Sequence, residues 1–145
     1  PGCGLNPLSL FWMPLKEGFS YYAFDIYNDM IDFLNEFMTL YGISGKAEVM
    51  DISRFVPEIE VDVAFIFKLL PVLEQIEKGS ALKLIENLNV RHMVITFPVK
   101  SLCGKNKNMP ENYERIFREL FAMKEWDIKR LDFKTELVFI VSKEN

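Results

Sequence analysis

The residues that decide the fold are Gly2-Cys3-Gly4-Leu5-Asn6-Pro7-Leu8, taken together with Asp25. Gly-x-Gly forms a turn whose glycines carry no Cβ, so the backbone can approach a ligand closely. Asp25 follows about 20 residues later, at the end of an apolar run, where an acid in nucleotide-binding βαβ units accepts hydrogen bonds from ribose hydroxyls. On spacing alone, a plain glycine turn with a capping aspartate is an equally good interpretation.

Strands and helices alternate along the rest of the chain. This alternation predicts a parallel, doubly wound sheet. No helix separates the last two strands, so we expect them to form an antiparallel pair at the sheet edge. The predicted strands are 21–26, 47–52, 61–67, 93–97, 126–131 and 137–141, and the predicted helices are 28–41, 71–78, 80–88 and 112–124.

Local signals add detail to these elements. Asn28 is expected to cap the helix 28–41 and Gly42 to end it. Met30, Leu34, Phe37, Met38 and Tyr41 recur at helical spacing and predict one shared face. The strand 61–67 is apolar nearly throughout, which is typical of a strand buried on both faces.

Composition excludes some classes of protein. The chain has 145 residues, which suits one domain over residues 1–145. Its net charge of −4 and pI near 5.1 argue against a protein whose whole surface binds nucleic acid. Cys3 and Cys103 form neither a disulfide framework nor a metal-ligand spacing, so we expect a reduced, cytoplasmic protein without metal. No apolar run is long enough for a membrane span. The start at Pro1 without Met suggests a piece of a larger protein.

Two further features lie where a ligand could bind. Asp51 lies at the end of the next strand after that of Asp25, where it could reach the base of the same nucleotide. Taken alone, Asp51 is better interpreted as a solvated acid or a helix cap. Lys100, Lys105 and Lys107 form a basic cluster in a polar loop. Charge alone favours a solvated loop, whereas its position after a strand end favours substrate contact.

Several strings in this order resemble the aminoglycoside-resistance 16S ribosomal RNA methyltransferases. They are GCGLNPL at 2–8, YAFDI at 22–26, AFIFKLLPVLEQ at 64–75, TFPVKSL at 96–102 and ELVF at 136–139. The resemblance implies a Rossmann-like methyltransferase fold, S-adenosylmethionine as cofactor, and methylation of guanine N7 in the decoding site of the small ribosomal subunit, which confers aminoglycoside resistance.

The resemblance also implies which residues hold the cofactor. The glycine turn would hold the methionine part of the cofactor and Asp25 its ribose. Asp51 and Ile52 would flank the adenine. The residues after the second predicted strand would line the floor and the mouth of the pocket. No catalytic base is expected, because guanine N7 has a free lone pair and no proton, so positioning suffices. The implied cofactor-binding residues are Gly2, Cys3, Gly4, Asp25, Ile26, Asp51, Ile52, Phe67, Lys68 and Gln75.

The same resemblance places the loop 100–109, with Lys100, Lys105 and Lys107, against 16S RNA in the 30S subunit. The sequence departs from the family in three ways. The strand that normally precedes the glycine turn and the helical N-terminal domain are absent, and Cys103-Gly104-Lys105 stands where a second Gly and an Arg are usual. We therefore expect the full-length protein, but not the isolated 145-residue chain, to methylate RNA.

Two alternatives stay open. One is a module that binds S-adenosylmethionine without modifying RNA, and the other is a methyltransferase for a small molecule, which the acidic pI would suit. Intact Gly2, Gly4 and Asp25 fit each of them, whereas Lys68 and the basic loop favour the RNA enzyme. The single histidine, His92, is interpreted as structural.

Overall fold

The computed structural model describes residues 2–98, 115, 117, 118, 121 and 124–143. It divides into two compact units, Pro1–Phe55 and Val56–Asn145. The first unit holds a short 3-10 helix, Asn6–Trp12, followed by β1 Ser20–Asp25, α1 Asn28–Leu40 and β2 Ser44–Val49. The second holds β3 Val61–Phe67, α2 Leu70–Ile76, α3 Ser80–Asn87, β4 Val90–Pro98, β5 Asp127–Asp132 and β6 Glu136–Ser142.

In the first unit, β1 and β2 are parallel, with Ser20 paired to Ser44 and Asp25 to Val49. The small side chains of Ala23 and Ala47 lie in this sheet and pack, with Ile31 and Leu34 of α1, into one buried cluster that also includes Cys3. The predicted helical face is therefore corrected. Ile31 belongs to the buried face, whereas Tyr41 is 55% exposed and its ring lies 4.9 Å from that of Phe37.

The ends of α1 test the two expected caps. Tyr27, not Asn28, occupies the N-cap position, and no side chain caps this end. The expectation for Asn28 is wrong because Asn28 is already the first helical residue. Gly42 does end the helix: its φ is 63°, and its N–H donates to the carbonyl of Thr39 at 3.2 Å while the next N–H, of Ile43, donates to that of Met38 at 2.9 Å. These two bonds form a Schellman motif.

β2 is held tightly on both sides. The amide side chain of Asn35 donates to the carbonyl of Ala47 at 3.0 Å and accepts from its N–H at 2.9 Å, which satisfies the outer edge of the strand. Against β1, Gly45 leaves no room for a side chain, because a Cβ built on it would lie 1.9 Å from the carbonyl oxygen of Tyr21. These contacts explain why the strand begins at Ser44, in a polar stretch, rather than at the predicted residue 47.

The second unit is a four-stranded sheet in the order β3-β4-β6-β5. β3 and β4 are parallel, whereas β6 is antiparallel to both β4 and β5. The predicted antiparallel pair at the sheet edge is thus confirmed. One face of the sheet is covered by an aromatic cluster in which Phe117, itself in a helical conformation, stacks on Phe139 with ring centroids 3.7 Å apart and contacts Phe97 at 6.3 Å.

The burial of β3 corrects one expectation. Ala64 and Ile66 are buried, but Asp62 is exposed and Val63 is 42% exposed. The strand therefore buries the side chains of one face over its second half, and its apolar composition does not mean that both faces are covered. The helix predicted at 112–124 falls mostly outside the described residues; Arg115, Phe117, Arg118 and Phe121 within it are helical.

Candidate cofactor site

The glycine turn lies at the carboxyl end of β1. The N–H of Cys3 donates to the carbonyl of Phe24 at 3.0 Å, and the carbonyl of Cys3 accepts from the N–H of Asn6 at 3.1 Å. Gly2 and Gly4 have φ values of 58° and 50°, a conformation that residues with a Cβ rarely adopt. A Cβ on Gly4 would meet no heavy atom within 4 Å. The space beside Gly4 is open, so the turn leaves a cradle that a side chain would fill.

Asp25, the last residue of β1, is tied to this turn. The N–H of Gly4 donates to Oδ2 of Asp25 at 2.9 Å, and the N–H of Ile26 donates to Oδ1 at 2.7 Å. Asp25 is only 8% exposed, so these two bonds fix its rotamer. A carboxylate has about four acceptor positions, and each oxygen of Asp25 therefore keeps capacity to accept a hydroxyl donor. The structure thus joins the glycine turn to Asp25 by a direct hydrogen bond, and their binding of a nucleotide stays a prediction.

The chemistry of Cys3 follows from its burial beside that carboxylate. Burial, and next the negative charge of Asp25, raise the pKa of the Cys3 thiol. Burial also raises the pKa of Tyr21 to about 12. Because the thiolate is the nucleophilic form, Cys3 is a small neutral side chain at neutral pH and fills the core under the turn.

Asp51 and Ile52 follow β2, whose carboxyl end is paired with that of β1. The N–H of Met50 donates to the backbone carbonyl of Asp25 at 2.8 Å. Ser53 donates to Oδ1 of Asp51 through its hydroxyl at 2.6 Å and its N–H at 3.0 Å, and the hydroxyl bond is the main cause that lowers the pKa of Asp51. Ile52 is buried, so it can offer a ligand its backbone rather than its side chain.

The remaining described candidates belong to the second unit. Phe67 and Lys68 stand at the carboxyl end of β3, where Phe67 packs on Phe65 with centroids 5.4 Å apart. Lys68 has a φ of 55°, unusual for a residue with a side chain, and its N–H donates to the carbonyl of Thr96 at 3.0 Å. Gln75 is exposed on α2.

The structure adds two residues that the sequence analysis did not assign. Nζ of Lys68 lies 2.6 Å from Oε1 of Glu136, at the start of β6, and Ser53 fixes Asp51. Ser53 had a signal, because Asp51-x-Ser53 is a spacing typical of side chain-to-backbone turns. Glu136 had none, because only the pairing of β6 with β4 brings it to the end of β4.

The other candidates contribute less to the site. Lys100, Lys105 and Lys107 lie outside the described residues. His92 is exposed, with Nδ1 3.0 Å from Oγ of Ser142. Within the part of the chain that the structure describes, no three His, Cys, Asp or Glu side chains gather as metal ligands do. None of the described helices has the length and apolar character needed to cross a membrane.

Comparison with sequence families gives one match over nearly the whole chain. Residues 2–140 match the family model described as Ribosomal RNA methyltransferase (FmrO). The 16S rRNA (guanine(1405)-N(7))-methyltransferase of Micromonospora rosea is 34% identical over 141 residues, which is 97% of this chain and 52% of that protein. The enzyme of the same name from Serratia marcescens is 34% identical over 142 residues, 97% of this chain and 55% of that protein. The chain thus spans about half the length of the curated relatives it matches.

Solved structures give the same result. The 16S rRNA methyltransferase RmtF, crystallised in complex with S-adenosyl-L-homocysteine, superposes with a TM-score of 0.86 at 30% identity, covering 99% of this chain and 54% of RmtF. The 16S rRNA methylase RmtB superposes with a TM-score of 0.80 at 29% identity, covering 99% of this chain and 54% of RmtB.

Proposed function

This chain belongs to the ribosomal RNA methyltransferase (FmrO) family, and from that premise we propose that its protein transfers a methyl group from S-adenosylmethionine to N7 of a guanine in 16S ribosomal RNA. The family resemblance read from the sequence is confirmed, and so is its α/β methyltransferase fold class. The relatives are about twice as long as the match, so the activity, substrate and partners are proposed for the full-length protein that contains this chain.

One observation carries the cofactor assignment: Oδ2 of Asp25 accepts the N–H of Gly4 in the glycine turn, while Oδ1 is held by the N–H of Ile26. A buried carboxylate with spare acceptor capacity fits a pair of ribose hydroxyls, and the open space beside Gly4 fits the methionine part. We propose Gly2, Cys3, Gly4, Asp25, Ile26, Asp51 and Ile52 of the first unit as its contacts. Phe67, Lys68 and Gln75 are proposed from the family resemblance alone.

When bound, S-adenosylmethionine supplies an electrophilic sulfonium methyl group. The residues of this chain need only position it, because guanine N7 attacks with its own lone pair and no proton has to be removed. The raised pKa of Cys3 fits this proposal. A neutral thiol beside the methionine part does not compete with the base as a nucleophile.

The proposed substrate is 16S RNA within the 30S subunit, in the cytoplasm. RNA affinity depends on the number of phosphates that Lys and Arg neutralise, and a chain with a net charge of −4 offers few of them. We therefore propose that most of the RNA affinity of the full-length protein comes from the part that corresponds to the unmatched half of its relatives. Lys100, Lys105 and Lys107 then orient the target base, which must leave its stack at a cost of a few kcal/mol.

Replacing Lys100, Lys105 and Lys107 with Gln should weaken methylation and leave cofactor binding unchanged. If each lysine contacts a phosphate, the slope of log affinity against log salt should fall by about 2 to 3. Filter binding of 30S subunits at several salt concentrations measures that slope. The matched control replaces Lys78, Lys129 and Lys134, three exposed lysines, and makes the same change in net charge. An equal effect in both triple variants would contradict a specific role for the loop.

The proposed function is tested by incubating the full-length protein with methyl-labelled S-adenosylmethionine and either 30S subunits, 50S subunits or no RNA. We expect label in the RNA of 30S subunits only, and none when the isolated chain replaces the full-length protein. Cofactor binding without transfer to any RNA would favour a module that only binds S-adenosylmethionine. Label in a small molecule, when cell extract replaces the RNA, would favour a small-molecule methyltransferase.

A further inference from the structure

The loop after β2 fixes the carboxylate of Asp51 in one orientation. The hydroxyl and the N–H of Ser53 both donate to Oδ1, at 2.6 and 3.0 Å. The side chain of Asp51 is 44% exposed, and Nε of Arg54 lies 3.5 Å from Oδ2. Oδ1 therefore holds two hydrogen bonds within the loop, whereas Oδ2 carries one longer ion pair with Arg54 and keeps capacity to accept a further donor.

The backbone keeps this carboxylate beside Asp25. The carbonyl of Asp51 accepts the N–H groups of Arg54 at 3.1 Å and Phe55 at 2.9 Å, so the loop turns back directly after β2. The N–H of Met50 donates to the carbonyl of Asp25 at 2.8 Å. Asp25 and Asp51 are thus placed at the carboxyl ends of two paired parallel strands, the edge at which such sheets bind nucleosides.

We propose that Ser53 is a positioning residue that selects adenine, by holding Asp51 so that Oδ2 accepts the exocyclic amino group of the base. This rests on the proposed function, because Asp51 faces a base only if Asp25 holds the ribose of S-adenosylmethionine. Asp51 alone could turn its carboxylate away from the base, so the preference for adenine depends on Ser53 as well.

The physical reason is the difference between the two forms of a carboxyl group. An ionised carboxylate only accepts hydrogen bonds, whereas a protonated one also donates. A base with an oxygen in place of the amino group presents an acceptor to Oδ2, and two acceptors repel unless the carboxyl group takes up a proton. The hydroxyl of Ser53 stabilises the ionised form, and it prevents the rotation that would turn Oδ2 away from the base.

The test compares two ligands that differ at this one position: S-adenosyl-L-homocysteine and its deaminated analogue S-inosyl-L-homocysteine. Calorimetric titration of the full-length protein should show the adenosyl ligand binding at least about tenfold more tightly, since a lost hydrogen bond to a charged group is of that size. Ser53→Ala should reduce this ratio at least about threefold, and Ser53→Thr, which keeps the hydroxyl, should preserve it.

Thr39→Ala is the matched control, because it removes an exposed hydroxyl that bonds only the carbonyl of Asn35 within α1 among the bonds described. An unchanged ratio in Ser53→Ala would overturn the proposal. If both affinities fall by the same factor, Ser53 only stabilises the loop, and the proposal is overturned too. If the wild-type protein binds neither ligand, the proposed function fails as well, and the wild-type titration alone separates the two cases.

Discussion

Asp25→Ala should lower the affinity of the full-length protein for S-adenosyl-L-homocysteine about tenfold to a hundredfold. Asp25 is buried and both of its oxygens already hold backbone N–H groups of the glycine turn and its own strand end. Alanine removes the acceptor for the ribose hydroxyls and leaves those two N–H groups without a partner, so the turn is loosened as well. Isothermal titration calorimetry measures the affinity.

The control is Asp29→Ala, which removes an exposed acid whose Oδ1 bonds only the neighbouring N–H of Met30 among the bonds described. Its affinity should stay within about twofold of the wild type, because an exposed charge that bonds no residue of the proposed site changes binding little. The thermal unfolding midpoint of both variants shows whether the fold persists. A folded Asp25→Ala variant with wild-type affinity would remove Asp25 from the cofactor site.

Gly45→Ala should unfold β1 and β2. The added Cβ would lie 1.9 Å from the carbonyl oxygen of Tyr21, and the φ of Gly45 is 112°. The obstacle is backbone within a strand pair, which cannot rotate away as a side chain would. Overpacking and the unfavourable backbone conformation together should cost about 2–5 kcal/mol, a large part of the 5–15 kcal/mol that stabilises a typical domain.

Hydrogen exchange followed by mass spectrometry reports this loss directly. Amides of residues 20–25 and 44–49 should lose protection in Gly45→Ala. Gly18→Ala is the control, since Gly18 also has a positive φ of 74° but open space beside it; it should cost only the backbone term, about 1–2 kcal/mol. Equal protection in the two variants would mean that the strands shift to accept a Cβ.

The sequence predicts the parts of this molecule that depend on local pattern. Each predicted strand lies within three residues of an observed one. β3 has the predicted bounds, because its largely apolar run is flanked by the charged residues Glu60 and Lys68. The contact between the glycine turn and Asp25 was also predictable. A glycine turn followed by a strand that ends in an acid is typical of nucleotide-binding units, in which the turn and the acid both lie at the carboxyl edge of the sheet.

Other features depend on tertiary contacts that no local pattern encodes. The start of β2 at Ser44 is set by the backbone pairing with β1 and by the amide of Asn35, although the residues there are polar. The ion pair between Lys68 and Glu136 joins residues far apart in the sequence, and only the antiparallel register of β6 on β4 brings them to the same edge. The Ser53 hydroxyl bond was visible as a spacing, but its consequence for Asp51 required the geometry.

We propose above all that the site built around Asp25 serves guanine N7 methylation. This proposal is tested most directly by reacting full-length protein with S-adenosylmethionine and purified 30S subunits, then cleaving the extracted 16S RNA chemically at N7-methylguanine. We predict one new cleavage position, at a guanine of the decoding site, which is lost or strongly weakened in Asp25→Ala. No new cleavage in a protein that binds S-adenosyl-L-homocysteine normally would show that this site does not serve methylation of 16S RNA.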